Sequence, residues 1–315
     1  MSIKQLQTWA HPRRILLATD LTDLEYTLKA SIRQARVHHA ELLIAHVLPG
    51  PGHALIDPAL LVYSDPERMR ELAQAALDQA VAVATSEGVQ CSSRLVQGDV
   101  VDEIANLLIE SKSDRLVAGS HGNRKFLLHI LGSVAASLFH RIEVPVLAIG
   151  PHASPIYDPT KDRMRIVLAA ALDHSAKRLA EFALDIAEEH SAVISLVHVI
   201  PEIAQIHPSA AQVTVCSEKM LKGLIGRKKL RKCAVACEVV QGQPVEAIVE
   251  YAREHSANLI ILGASAHAAF NDRFIPGTAY RVLCKSPCPV LVLKHESAWN
   301  NVIEEAKRDR SFHVV

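Results

Sequence analysis

The sequence predicts an α/β protein made of two tandem repeats, each folded as a doubly wound parallel sheet of five strands. The first observation behind this prediction is an alternation of short apolar runs with segments of helical periodicity, which is the pattern of βαβ units. The second is an internal duplication, because three landmarks of the first half recur 144 positions later. These landmarks are Gly98 and Gly242, Gly119 and Gly263, and Pro145 and Pro289.

The first repeat is expected to alternate strands and helices from its first apolar run to its last. In order, the elements are strand ILLAT, helix 24–38, strand LLIAHV, helix 67–87, strand SSRLV, helix DEIANLLIESK, strand RLVAG, a helix after Gly132 and strand VPVLAI. Parallel strands joined by right-handed crossovers have their carboxyl ends at one edge of the sheet. Ligands of such sheets bind at that edge, which here carries Asp20, His46, Val47 and the loop after Gly119.

The second repeat follows the same order with a shorter middle. Its elements are strand IVLAA, helix 175–190, strand ISLVHV, helix 217–232, strand CEVV, helix VEAIVEYAREH, strand LIILG, a helix after Gly277 and strand PVLVL. The segment between the repeats contains the Pro and Asp residues typical of a linker. We therefore expect a first domain over 1–150, a linker over 151–162, a second domain over 163–296 and a C-terminal tail over 297–315.

The composition gives no electrostatic reason to expect nucleic acid or an anionic membrane as a partner, because 34 Lys and Arg residues balance 34 Asp and Glu residues. Aromatic residues are only 4% of the chain, so we expect a core of Ala, Val, Leu and Ile. The six cysteines form no compact disulfide framework, and the start of the chain has no apolar signal sequence. We expect a soluble protein of the reducing cytoplasm, without nucleic-acid or membrane partners.

The segment that most resembles a membrane span is 255–271, HSANLIILGASAHAAFN. It contains no Asp, Glu, Lys or Arg, but His, Asn, Ser and Gly residues interrupt it. A buried strand followed by a loop explains it better than a membrane span does.

A glycine-rich segment follows the fourth strand of the first repeat. Two residues separate Gly119 from Gly122, nine separate Gly122 from Gly132, and Ser133 comes next. This spacing is neither the P-loop pattern nor the dinucleotide fingerprint. Glycines let backbone amides turn toward an anion, and a helix that starts at Ser133 directs its free amides to the same point. The simpler alternative is that these glycines only mark the end of a strand and the start of a helix.

The string GSHGNRKFLLHILGS, with ATD at the end of the first strand and HV at the end of the second, resembles the nucleotide-binding members of the universal stress protein family. The hallmark of those members is G-x2-G-x9-G-[ST], and Gly119, Gly122, Gly132 and Ser133 meet every constrained position. The resemblance covers residues 12–150 and, more loosely, 163–295. It implies a Rossmann-like fold of the adenine nucleotide α-hydrolase type and a role in the stress response.

The resemblance also implies how an adenine nucleotide, ATP with Mg²⁺, would be held. Ala18, Thr19 and Asp20 would lie along the adenine, and Val47 would line the base. The residues expected around the ribose and the α-phosphate are Ala118, Gly119, Ser120, His121 and Gly122. Those expected at the β- and γ-phosphates are Gly132, Ser133 and Val134.

Two of these residues have a second interpretation. Asp20 also suits the N-cap of the first helix, and that role is compatible with ligand contact. His121 is expected to fill the loop rather than to act as a catalytic base.

The second repeat departs from the pattern. Ala266 stands at the position of Gly122, Pro276 stands at that of Gly132, and Ala171 replaces Asp20. A methyl group at 266 hinders close backbone approach, and a proline removes an amide donor. We therefore expect a weak or lost second site in a repeat that is mainly structural.

The resemblance implies pairing through the last strand of each repeat. Here VPVLAI and CPVLVL would pair within one chain as an internal pseudo-dimer, which covers two sheet edges. A homodimer of the whole chain is a further expectation left open.

Two other features suggest sites less strongly. Cys233 with Cys237 and Cys284 with Cys288 are spaced more widely than the C-x2-C pairs of structural zinc, so we expect no metal site and treat Cys288 as a core residue. The basic run RKKLRK, 227–232, is expected to be the solvated end of a helix. No aromatic residues interleave it, as they do in many nucleic-acid sites.

These observations favour a regulatory ATP-binding protein over an enzyme. No nucleophile, general base or metal-ligand set accompanies the glycine-rich segment, so we predict no catalytic residues and at most slow ATP hydrolysis. The alternative is an interaction scaffold with no functional nucleotide site. A nucleotide α-hydrolase or adenylating enzyme is disfavoured, because neither an S-G-G-x-D-S loop nor an H-x-G-H motif is present.

Overall fold

The computed structural model describes residues 8–50, 65–119, 142–150, 153, 163–202, 210–225, 232–265 and 278–295. The chain divides into two compact units, whose main segments are Met1–Asp162 and Arg163–Val282. Both units contain parallel strands joined by helices, which confirms the predicted fold class. Of the glycine-rich segment, the described part ends at Gly119.

The first repeat has its strands in the order β3-β2-β1-β4-β5, and all four neighbouring pairs are parallel. Its described elements are β1 (Arg14–Ala18), α1 (Leu24–His38), β2 (Glu41–Pro49), α2 (Pro66–Ser86), β3 (Cys91–Gly98), α3 (Val100–Ser111), β4 (Arg115–Gly119) and β5 (Val146–Ile149). The order reverses between β1 and β4, since the chain moves outward from β1 to β3 and then returns to the other side. That reversal is the switch point at which doubly wound sheets bind ligands.

The second repeat has the equivalent order, β10-β9-β6-β7-β8. Its described elements are β6 (Arg165–Ala169), α4 (Ala176–Glu189), β7 (Val193–Ile200), α5 (Ala210–Ile225), β8 (Ala234–Gln241), α6 (Pro244–Glu254), β9 (Leu259–Ser265), α7 (Thr278–Lys285) and β10 (Val290–His295). The duplication inferred from the spacing of three landmarks is therefore a duplication of topology.

The central strands are apolar on both faces because helices cover both faces of a parallel sheet. Ile15, Leu16 and Leu17 on β1 are fully buried, as are Leu116 and Val117 on β4. The strand β3 lies at one end of its repeat's order and alternates between exposed and half-buried residues. Aliphatic side chains fill both cores, as the low aromatic content predicts.

Helix starts are fixed by local side-chain chemistry. Asp65 accepts a hydrogen bond from the backbone N–H of Glu67 at 3.0 Å, and Pro66 occupies the first position of α2. Asp99 accepts from the backbone N–H groups of Val101 at 2.9 Å and Asp102 at 3.1 Å, which starts α3. The predicted helices 24–38 and 67–87 agree with α1 and α2 within one residue at each end.

One helix differs from its prediction. The expected helix 217–232 begins seven residues earlier, at Ala210, and its described part ends at Ile225. Good helix formers such as Ala and Gln extend its start. Lys232, the last residue of the basic run, lies in a bend outside the helix, and the other five residues of that run lie outside the described residues.

The segment that resembled a membrane span contains β9, whose central residues Ile260 and Ile261 are fully buried between helices. The rest of that segment, from 266, lies outside the described residues. Within the described part of the chain, every helix is too short or too polar to cross a bilayer.

Candidate functional site

The carboxyl edge of the first sheet brings together the ends of β1, β2 and β4. In the strand register, Ala18 lies opposite both Ala45 on β2 and Ala118 on β4. The candidate residues Ala18, Thr19, Asp20, Val47, Ala118 and Gly119 are therefore placed along this edge. The other candidates, Ser120, His121, Gly122, Gly132, Ser133 and Val134, lie outside the described residues.

Thr19 organises the turn that follows β1. Its backbone N–H donates to the carbonyl of Ala45 at 3.0 Å, which continues the β1–β2 ladder by one residue. Its buried hydroxyl donates to Asp23 Oδ1 at 2.5 Å and accepts from the N–H of Leu21 at 2.9 Å. Leu21 has φ +71°, a left-handed conformation that turns the chain sharply before α1 begins.

Asp20 is exposed and closes its own small turn. Its Oδ1 accepts from the backbone N–H of Thr22 at 2.9 Å and from the hydroxyl of Thr22 at 2.7 Å. The expectation that Asp20 is the N-cap of the first helix is wrong, because α1 begins at Leu24 and its N-cap is Asp23. The left-handed Leu21 separates Asp20 from the helix start, which lies at residue 24 as predicted.

Val47 is less exposed than we expect for a residue that lines a bound base. Its side chain is 8% exposed and belongs to the core cluster that also contains Ile104, Leu108 and Leu116. Its strand partner is Val96 on β3. Its contact with adenine stays a prediction.

Asp23 is a functional candidate that the sequence analysis missed. Its side chain is 4% exposed, and a Cβ built on Gly119 would lie only 2.1 Å from its Oδ2. Burial raises the pKa of the Asp23 carboxyl to about 6; the hydrogen bond from Thr19 opposes this shift, and the nearby charge of Asp20 adds to it. The sequence contained one indication of this role: a second acidic residue lies three positions after Asp20, directly before the expected start of helix 24–38.

His46 joins β2 to the turn after β1. Its Nδ1 lies 2.8 Å from the carbonyl oxygen of Thr19. A carbonyl oxygen only accepts, so Nδ1 donates the hydrogen of this bond. The place of His46 at this edge was predicted from the sequence, without a role.

The second repeat keeps this framework and changes its polar groups. His198 Nδ1 lies 2.8 Å from the carbonyl oxygen of Ala170, as His46 does from Thr19. Leu172 has φ +56° and takes the place of Leu21. The N-cap of α4 is Ser175, which donates from its backbone N–H at 2.8 Å and from its hydroxyl at 2.5 Å to Asp173 Oδ1.

The glycine positions of the second repeat are described only in part. Gly263 lies on β9, whereas Ala266, Pro276 and Gly277 lie outside the described residues. Their effect on a second site stays a prediction from the sequence.

All six cysteines are free thiols. Cys288 is buried, as expected for a core residue, and Cys233 donates from Sγ to Glu188 Oε1 at 3.4 Å. Burial raises the pKa of the Cys91 thiol to about 11 and also raises that of Cys237. These two thiols are therefore protonated and weakly nucleophilic near neutral pH.

Comparisons with known proteins agree with the duplicated fold. The model of the universal stress protein family matches residues 11–150 and 163–294. A universal stress protein of Thermus aquaticus is 28% identical over 137 residues, which are 41% of this chain and 97% of that protein. Universal stress protein G of Shigella flexneri is 29% identical over 146 residues, which are 44% of this chain and 98% of that protein.

Several solved structures span both repeats. The crystal structure of a universal stress protein from Archaeoglobus fulgidus has a TM-score of 0.67 and 20% identity to this chain, and the match covers 91% of this chain and 97% of that one. At this identity the likeness shows a shared fold.

Proposed function

Because the chain belongs to the universal stress protein family, we propose that its first repeat binds one adenine nucleotide, ATP with Mg²⁺, and that its second repeat is mainly structural. The observation that carries this proposal is the intact G-x2-G-x9-G-S segment, whose first glycine ends β4 at the switch point of the sheet. The second repeat has Ala266 and Pro276 where the first has Gly122 and Gly132.

Groups that are accessible at the described part of the sheet edge support this proposal. Asp20 is exposed, and each oxygen of a carboxylate accepts more than one hydrogen bond, so it retains capacity for donors of the base or the ribose. Ala18 and Ala118 are small, which leaves room for a flat ring beside the strand ends. Ser120, His121 and Gly122 would then wrap the ribose and the α-phosphate, and Gly132, Ser133 and Val134 would hold the outer phosphates.

The output that we propose is regulatory: nucleotide occupancy orders the glycine-rich segment and changes the surface around it. Binding without rapid turnover follows from the sequence, which places no recognisable nucleophile or metal-ligand motif in that segment. We expect at most slow hydrolysis of the bound ATP.

Calorimetric titration with Mg·ATP tests the proposal, with phosphate release measured on the same samples. Gly122→Val is expected to abolish binding, because a β-branched side chain blocks close backbone approach to the phosphates. The matched control is Ala266→Val at the equivalent position of the second repeat, and it should bind ATP as the unmodified protein does. Absence of binding by the unmodified protein would favour the interaction scaffold, and rapid phosphate release would favour an enzyme.

A further inference from the structure

The space beside Gly119 is filled by the carboxyl group of Asp23. A Cβ built on Gly119 would lie 2.1 Å from Asp23 Oδ2, 3.0 Å from its Cγ and 3.2 Å from its Cβ. The first of these distances is far below any real contact of a Cβ atom, so only glycine fits at 119 while Asp23 keeps its position. The contact joins the end of β4 to the start of α1.

Asp23 is held in place by three restraints. It is the N-cap of α1, which fixes its backbone. Its Oδ1 accepts from the Thr19 hydroxyl at 2.5 Å, and its backbone carbonyl accepts from the Thr27 hydroxyl at 2.8 Å. A side chain at 119 would therefore have to displace either a restrained carboxyl or the end of β4.

We propose that Asp23 is a positioning residue for the nucleotide site: its carboxyl group fixes the place of Gly119 at the end of β4, from which the glycine-rich segment continues. The predicted effect on ATP binding rests on the proposed nucleotide function. The claim that Asp23 requires a glycine at 119 rests only on the contact between these two residues. The first glycine of the motif is then required by Asp23, inside the protein, and not by a ligand. The second repeat keeps a glycine, Gly263, at the equivalent position although its N-cap, Ser175, has no carboxyl group, so the requirement set by Asp23 is inferred for the first repeat alone.

The charge of Asp23 adds a second consequence. The ionisable groups that face it among the described residues are Asp20, in the turn after β1, and Tyr26 on α1. Burial raises the pKa of Tyr26 to about 12, so Tyr26 is neutral, and the pKa of Asp23 is raised to about 6. Asp23 is thus charged at pH 7.5 and neutral at pH 5. If the proposed site holds phosphate groups close to Gly119, loss of this charge removes a repulsion on them.

A rescue experiment tests the contact. Gly119→Ala should weaken ATP binding about tenfold or more and lower the midpoint of thermal unfolding, because overpacking displaces the end of β4. The double variant Gly119→Ala with Asp23→Gly should recover most of both losses, since glycine is also accepted at an N-cap. Gly98→Ala is the control: its Cβ would lie 2.8 Å from Oε1, 3.0 Å from Cγ and 3.2 Å from Cδ of the Glu103 side chain, which is long and flexible enough to move aside, and ATP binding should not change.

Thermal stability and ATP affinity, measured on the same variants, distinguish a failure of this inference from a failure of the proposed nucleotide function. If the double variant unfolds as early as Gly119→Ala, the contact does not explain the glycine and the inference is overturned. If stability recovers but ATP affinity does not, Gly119 serves the ligand directly and the positioning role is overturned. If the unmodified protein binds no ATP, the proposed function fails, while recovery of stability still supports the contact.

A pH profile tests positioning by a charged group as opposed to a purely structural role. Between pH 7.5 and 5, the ATP affinity of the unmodified protein should rise relative to that of Asp23→Asn by about threefold, because only the unmodified protein loses a charge. Protonation of ATP affects both proteins equally and cancels in the ratio. A ratio that stays constant across this range would contradict a role for the charge. The profile also provides a test if Gly119→Ala does not fold.

Discussion

His46 and His198 bind the carbonyl oxygens of Thr19 and Ala170 at the same distance, 2.8 Å, in the two repeats. Each repeat also has a left-handed leucine two residues after that carbonyl. The backbone framework of the sheet edge is thus the same in both copies. What differs is the set of side chains on it. Ala170 and Ala171 stand where the first repeat has Thr19 and Asp20, and the carboxylate of this turn is Asp173, which accepts hydrogen bonds from Ser175.

This difference shows which features belong to the fold and which belong to a site. The histidine and the left-handed leucine occur in both copies at the turn from the first strand to the first helix, so we assign them to the fold. The threonine–aspartate pair, which includes the buried Asp23, occurs only where the glycine motif is intact. A mainly structural repeat would need the histidine and the leucine but not the threonine–aspartate pair. This agrees with the functions proposed for the two copies.

The largest effect expected is on the pH dependence of stability, through Asp23→Asn. Its carboxyl has a pKa of about 6 in the folded protein against an ordinary value of 3.8. The stability that protonation contributes is fully present below pH 3.8 and is lost as the pH rises through about 6. From pH 4 to 7, Asp23→Asn should therefore gain on the order of 2 kcal/mol in free energy of unfolding relative to the unmodified protein.

Urea unfolding at several pH values measures this gain. Ser175→Asn is the matched control, because it changes the N-cap of the second repeat and removes no ionisable group. If the two variants have the same pH dependence, the difference that we infer between the repeats is wrong at this position.

The next effect concerns the framework that the repeats share. His46→Leu and His198→Leu each remove the donor to a carbonyl oxygen, so each should lower the free energy of unfolding by about 1 kcal/mol. Denaturant unfolding of both variants checks this. A loss of ATP affinity without loss of stability in His46→Leu alone would instead assign that histidine to the ligand site.

The smallest effect expected is on nucleotide affinity, through Asp20→Ala, which copies Ala171 of the second repeat. Loss of one exposed hydrogen-bond acceptor should weaken ATP binding about fivefold, equivalent to roughly 1 kcal/mol. Calorimetry measures the change. The reciprocal Ala171→Asp should create no second site, because two glycine positions of that repeat remain substituted. A second binding event would show that an aspartate at this position is sufficient.

The sequence predicted the fold well because strands and helices alternate with clear caps and apolar periods. Helix 24–38 was placed correctly, and helix 175–190 differs from Ala176–Glu189 by one residue at each end. The edge residues were also identified, since strand ends of a doubly wound sheet lie together. These features depend on local pattern and on topology, which the chain displays directly.

The details of the turn after β1 were not predictable in the same way. A leucine rarely adopts a positive φ, so the sequence did not indicate the left-handed turn at Leu21, although the predicted start of helix 24–38 agrees with Asp23 as the N-cap. The contact of Asp23 with Gly119 joins residues far apart in the chain. Periodicity does not encode such a contact, and the sequence therefore offered only two interpretations of Gly119, a phosphate site or the end of a strand.

The most direct test of the difference between the repeats is the number of ATP molecules bound per chain. Equilibrium dialysis of the full chain against labelled ATP with Mg²⁺ gives this number at saturation. One nucleotide per chain is expected, with the site lost in Gly132→Val. Two nucleotides per chain, or none, would contradict the assignment of a single working site to the first repeat.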